Sequence, residues 1–244
     1  MKIGIIGAGN IGATLARKLS AAGHEIKLAN SKGPESLREL ALEAEATATT
    51  KEEAVRDVDV VILSVPFSAY RDLRHLFDNV PEDIIVVDTS NYYPFRDGMI
   101  SEVDNGKAEA VWVSEQINRT VIKAWNAALA TTLAEKGVAR SQTQRIALPV
   151  AGDDPKSKLV VMKLVEETGF DAFDAGSLTS SWRQQPGTPA YCTELTADQL
   201  ESALKRADQA RAARDRETLI TGFMEAGGSL THDAIVARNR AVTA

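Results

Sequence analysis

"IGIIGAGNIGATLA", residues 3 to 16, decides the fold. A strand-like run ends at Ile6 and passes straight into Gly7, Gly9 and Gly12, with small Ala16 one turn further on. A G-x-G-x-x-G loop that follows a strand and opens a helix is the context in which this motif holds a dinucleotide. Gly7 permits the tight turn, Gly9 lets the backbone approach a pyrophosphate, and Gly12 with Ala16 lets the helix lie close on a sheet. The exposed N–H groups of such a helix start point at phosphates. Gly7, Ala8, Gly9, Asn10, Ile11 and Gly12 are therefore candidate cofactor-binding residues.

Outward from this loop, short apolar runs alternate with helical patterns. The strand candidates are 2–6, 25–29, a weaker one at 45–49, 59–65 and 83–89. Helices are expected to start near Asn10, Pro34, Lys51 and Phe67. This alternation implies right-handed βαβ units and a parallel sheet. The run "VDVVILSV" is nearly all apolar, as suits a central strand covered on both faces. Gly23 stands where the first helix should stop and Pro34 where the second should begin.

The end of the second strand selects the dinucleotide. "LANSKGPESL", residues 28 to 37, places Asn30, Ser31 and Lys32 where an acid would accept hydrogen bonds from the ribose hydroxyls of NAD. Donors and a positive charge there favour the 2′-phosphate of NADP(H). A hydrogen bond to a charged group contributes about 1.5–3 kcal/mol, so a lysine and a hydroxyl together predict a preference of about two orders of magnitude. Two further loops follow strands at the same sheet edge. Ser64, Val65, Pro66 and Phe67 are expected along the cofactor, and Ser90 and Asn91 near the nicotinamide or a substrate.

The second half keeps some alternation. Residues 120–126 and 144–152 read as strands, and Asp154, Pro155 and Gly169 frame a helix as N-cap, first position and stop. From Thr196, which forms a capping box with Gln199, the pattern predicts one polar helix running to about Phe223, roughly 40 Å long at 1.5 Å per residue. Its apolar stripe is thin, so it needs another surface to lie on. The expected architecture is α/β: a Rossmann-type doubly wound parallel sheet, with a smaller C-terminal α/β portion and a long C-terminal helix. The expected division is 1–124 for NADP binding and 125–244 for substrate binding and dimerisation.

Composition limits the function classes. The chain has 244 residues, of which 44% are apolar and 25% charged, as in an ordinary globular protein. A net charge of −6 argues against nucleic acid as the main partner. No apolar run approaches the roughly 18 residues of a membrane helix. The opening residues lack the pattern of a secretory signal, and Cys192 has no second cysteine to pair with, which together fit a cytoplasmic location. Three scattered histidines and one cysteine provide no metal-ligand spacing, so no metal is expected.

The chain resembles the family of coenzyme F420-dependent NADP oxidoreductases, in which the coenzyme is a deazaflavin. The resemblance covers roughly residues 1 to 180 and rests on the glycine loop, "NSKGPES", "VILSVP", "VIKAWNAALA" and "LPVAGDDPKSKLVVMKLVEETGFDAFDAGSL". It implies a pyrophosphate at Gly7 to Gly12 and a 2′-phosphate at Asn30, Ser31 and Lys32. It also implies a deazaflavin or substrate pocket bordered by Trp125 and Asn126, and a homodimer. Asn126 stands where deazaflavin-reducing members can carry histidine. The segment "SSWRQQPGTPAYCTELTADQLE" replaces a short apolar C-terminal one. Within it Trp182 and Arg183 suit either an anionic ring cofactor or a dimer contact.

Hydride transfer to a deazaflavin needs stacked rings with their reacting carbons about 3–3.5 Å apart and no protein acid or base. The alternatives are an NADPH-dependent reductase of an imine, carbonyl, flavin or metal complex, and a non-enzymatic NADP(H)-sensing or partner-binding protein that uses the long C-terminal helix as its interaction surface.

Overall fold

A computed structural model describes all residues 1–244. Eight strands are present: β1 (Lys2–Ile6), β2 (Glu25–Ala29), β3 (Thr47–Ala48), β4 (Val60–Leu63), β5 (Ile85–Asp88), β6 (Val121–Lys123), β7 (Ala147–Val150) and β8 (Asp171–Asp174). In the first half the helices are α1 (Asn10–Ala21), α2 (Arg38–Glu43), α3 (Lys51–Ala54), α4 (Pro94–Asp97), α5 (Ser101–Asp104) and α6 (Glu109–Ile117). The second half adds α7 (Ala130–Glu135), α8 (Pro155–Glu167), α9 (Ala197–Arg206), α10 (Gln209–Glu225) and α11 (His232–Thr243).

The first six strands form one sheet in the order β3-β2-β1-β4-β5-β6, with every pair parallel. The chain reverses its direction of travel across the sheet between β1 and β4. In such a sheet the crevice outside the carboxyl ends at this switch point is where ligands bind. β4 is buried along its whole length because both faces are covered. Val60 and Ile62 join the core with α1 and α8, whereas Val61 and Leu63 join the core with Tyr70 and Trp112.

β7 and β8 pair in parallel as a second, two-stranded sheet. An antiparallel bridge between Lys123 and Ala151 joins it to β6, with hydrogen bonds of 2.8 and 3.0 Å. The first core runs through both parts, from Ile3 and Leu19 to Leu164 and Phe170. His24 in the turn after α1 holds Glu167 of α8 at 2.7 Å. Asp154 caps α8 by accepting from the Ser157 N–H at 2.8 Å.

The helix expected from Phe67 is present as a 3-10 helix, Phe67–Phe77. One expected element differs. The single long C-terminal helix is absent: α9 stops at Arg206, Ala207 turns to an extended conformation, and Asp208 caps α10 through the Ala210 N–H at 2.9 Å. The break lets α9 pack its Leu200, Ala203 and Leu204 beside β7, while α10 packs on α11. Packing two short faces on different surfaces satisfies the thin apolar stripe that one straight helix would have left in water.

Candidate functional site

The glycine loop is built by close backbone contacts. Gly7 has φ +105°, and a Cβ there would lie 2.0 Å from the Ser64 carbonyl oxygen. A Cβ on Gly12 would lie 1.8 Å from the Gly7 carbonyl oxygen. These two glycines are demanded by packing of the loop against the end of β4. Gly9 differs, since a Cβ there would meet nothing within 4 Å. Its bareness is of use only to something arriving from outside. Gly9 is also the N-cap of α1, yet no side chain caps the helix and no acid lies in its first turn. An uncapped helix start with an open approach is a fitting receptor for an anion such as a pyrophosphate.

The loop after β2 is held by Asn30. Its Oδ1 accepts from the Lys32 N–H at 2.9 Å, and its Nδ2 donates to Ser36 Oγ at 2.9 Å. The Asn30 amide is thus occupied in shaping the loop, while Ser31 and Lys32 are exposed and uncommitted. Glu35, the acid nearest to Lys32 in sequence, pairs with Arg38 at 2.6 Å. The charge balance of the loop therefore leaves Lys32 as its free cation. Donors and a lysine at this place suit an anionic group such as a 2′-phosphate.

The carboxyl ends of β5 and β6 are constructed differently. Lys123 and Asp88 form an ion pair at 2.7 Å with both side chains fully buried. Asp88 also accepts from Tyr70 Oη at 2.6 Å, Ser90 Oγ at 2.6 Å and the Ser90 N–H at 2.8 Å. Lys123 Nζ donates to the Ser90 carbonyl as well. So many partners offset the large desolvation cost of a buried pair. Glu109, at the start of α6, lies close to this pair. Burial pushes its carboxyl up to about 7, against the opposing pull of Lys123, and its Oε2 has no partner.

Beside the pair is an amide network. Trp125 takes a left-handed backbone, φ +58°, unusual for so bulky a residue. Asn126 follows and donates to Asn91 Oδ1 at 3.1 Å and to the Gln184 carbonyl at 2.8 Å. Asn91 Nδ2 returns a bond to the Asn126 carbonyl at 2.9 Å, and Gln184 Nε2 donates to Asn126 Oδ1 at 2.9 Å.

Several expected site residues are placed elsewhere. Phe67 is fully buried and stacks on Trp112 at 4.7 Å, so its ring faces the core and not a cofactor. Trp125 is also core, with its Nε1 donating to Thr168 Oγ1 at 3.2 Å. Ser90 is a strut of the buried ion pair. Asn126 is 1% exposed because the 178–184 turn lies over it. Ser64, Val65 and Pro66 do line the β4 end, partly exposed beside Gly7. Trp182 and Arg183 stack on each other at 4.6 Å and stay partly exposed. Lys123, Asp88 and Glu109 escaped the reading of the sequence. The available signal was a lone lysine inside the apolar strand "VIKAW" opposite an aspartate that closes "IIVVD".

A family model described as NADP oxidoreductase, coenzyme F420-dependent, matches residues 2–92. Protein YjhV of Escherichia coli (strain K12) is 39% identical over 98 residues, which are 40% of this chain and 72% of that protein. The chain belongs to this family. It is an NADP-dependent oxidoreductase. The family match spans the glycine loop, the Asn30–Lys32 loop and the ends of β4 and β5, and stops before β6. A crystal structure of protein SMa0349 from Sinorhizobium meliloti is similar over more of the chain. It has 31% identity and a TM-score of 0.68, over 80% of this chain and 95% of that one. A protein from Arthrobacter sp. FB24, described as an F420-dependent NADP-reductase, shares the fold at 20% identity and a TM-score of 0.58. That alignment covers 75% of this chain and 87% of the other.

Proposed function

We propose that this oxidoreductase binds NADP(H) across the β1–β4 switch point and moves a hydride to or from a deazaflavin-type acceptor at the ends of β5 and β6. The observation that carries the proposal is the pairing of an open, uncapped helix start at Gly9 with the uncommitted cation Lys32. In this reading the backbone from Gly7 to Gly12 receives the pyrophosphate, and Ser31 and Lys32 receive the 2′-phosphate. Ser64, Val65 and Pro66 flank the cofactor beyond it. Residues 1–124 form the cofactor unit and 125–244 the acceptor portion.

NADPH, when bound, supplies the hydride. The chain's own part is to hold the ring and to keep water from it. Asp88 and Lys123 brace the floor below Ser90, and the Asn91–Asn126–Gln184 network closes the far wall. Ser64, Ser90 and Asn91 are neither acids nor bases of use near neutral pH, and the ionisable Asp88, Lys123 and Glu109 are buried beneath the protein surface. That suits an acceptor needing no protein proton donor.

One observation favours a second reading, reduction of a small imine or carbonyl. Asn126 is covered by the chain's own Gln184, which narrows the space for a large ring. Anaerobic mixing with NADPH separates the two. Bleaching of oxidised deazaflavin absorbance supports the first, and NADPH consumption only with small carbonyls or imines supports the second. Loss of neither NADPH nor acceptor, with tight NADPH binding, sinks both.

A further inference from the structure

A second cavity, of about 340 Å³, opens between the loop after β5 and α10. Its volume is at the small end of the roughly 300–1,000 Å³ typical of small-molecule sites, far too small for a dinucleotide. Tyr93 and Tyr191 form one wall, their hydroxyls 2.5 Å apart. Leu219, Ile220 and Phe223 of α10 form the opposite wall. The scaffold is rigid at the back. Gly187 has φ +86°, and a Cβ there would lie 2.0 Å from the Ala212 carbonyl oxygen, so the 186–187 turn rests directly on α10.

Arg216 stands in this apolar surround, with its side chain only 11% exposed. Its Nε donates to Glu217 at 3.0 Å, and its guanidinium lies 5.3 Å from the centre of the Tyr92 ring. Its two Nη groups make no hydrogen bond within the chain. A planar fork of free donors on a residue that lines an apolar slot is suited to two parallel bonds to a carboxylate. Glu217 occupies the Nε side of the guanidinium, which leaves its Nη side for one carboxylate and not for a dianion.

The cavity also adjoins the redox edge. Tyr93 lies two residues beyond Asn91, and Arg96, 5.2 Å from the Tyr93 ring centre, donates to the Asn91 carbonyl at 2.7 Å. We propose that the Tyr93–Tyr191–Arg216 cavity is a small-molecule site beside the redox edge and takes a compact, planar apolar molecule bearing one carboxylate, a substrate of the class that the second, small-acceptor reading requires. Its catalytic meaning rests on the proposed redox cleft; its binding chemistry does not.

The test titrates the full chain with benzoate and with its neutral counterpart benzamide, followed by ligand-observed NMR, with NADPH binding followed in parallel by fluorescence. Benzoate is expected to bind saturably and about tenfold more tightly than benzamide, since a charge-assisted bidentate contact is lost in the amide. Arg216→Gln should abolish that discrimination. Met224→Trp, a change at the exposed rim, should weaken both ligands while NADPH binding stays as in the parent. Absence of saturable benzoate binding overturns the proposal, as does discrimination that survives Arg216→Gln. If benzoate binds as expected but NADPH does not, the cofactor reading fails and this one stands.

Discussion

The two ends of the cleft solve the same task in opposite ways. At the β1–β2 end, the site is made by removing side chains. Gly7 and Gly12 bring backbone within contact, and Gly9 leaves a space. At the β5–β6 end, the site is made by filling. Asp88, Lys123, Tyr70 and Ser90 saturate one another in the interior, and the amides of Asn91, Asn126 and Gln184 close over them. The first end is open to an anion from solvent and rests on glycines within one short loop. The second is sealed, and its central contacts join residues 35 and 58 positions apart. At the open end a position that touches nothing, such as Gly9, can be altered for binding without cost to stability, whereas a change at the sealed end is felt by the fold.

That contrast can be broken by experiment, and the largest effect is expected at Gly7. Gly7→Ala adds a Cβ 2.0 Å from the Ser64 carbonyl oxygen at a φ of +105°, and should cost more than about 3 kcal/mol or prevent folding. Gly9→Ala should leave the thermal midpoint unchanged and weaken NADPH binding. Equal melting of the two variants would remove the distinction between a packing glycine and a binding one.

Next comes Lys123→Met, which leaves Asp88 buried without its counter-ion. A loss of about 3–5 kcal/mol in urea unfolding is expected, because one partner of a buried pair is stranded. A loss below about 1 kcal/mol would mean that Tyr70 and Ser90 suffice for Asp88.

Glu109 should make stability depend on pH. Its carboxyl sits near 7 in the folded chain and at 4.5 in the reference state. The folded pKa is the higher one, so the native state holds the proton more tightly. The associated stability is complete below about pH 4.5 and is lost as pH rises through 7, by roughly 3 kcal/mol at most. Glu109→Gln should flatten this decline. Parallel pH profiles of parent and variant would show that folding does not raise the Glu109 carboxyl.

The smallest effect is at Lys32. Lys32→Ala should weaken NADPH by about tenfold, leave NADH unchanged and not move the melting temperature. A titration in which both cofactors weaken equally would assign Lys32 to the loop and not to the phosphate.

Local features were legible because their causes are local. The turn at Gly7, the Asp154–Pro155 helix start and the stop at Gly23 follow from backbone sterics and capping within a few residues. The break at Ala207–Asp208 was hidden because Asp208 stands in a run of good helix formers, and only the separate surfaces offered to α9 and α10 make the break favourable. Phe67 looked like a cleft residue from its place after β4. Its ring turns inward because Trp112 and Tyr92, from distant segments, offer it an aromatic core.

The amino-acid sequence by itself determined the parallel α/β sheet, the glycine loop and the basic character of the β2 end. Each of these is written in period, in spacing or in a missing side chain. Only the tertiary structure decided that Lys123 meets Asp88, that Gln184 covers Asn126, and that Arg216 faces a slot between Tyr93 and α10. Those pairings bring together segments far apart in the chain, and the desolvation that gives them their energy exists only once the chain has closed around them.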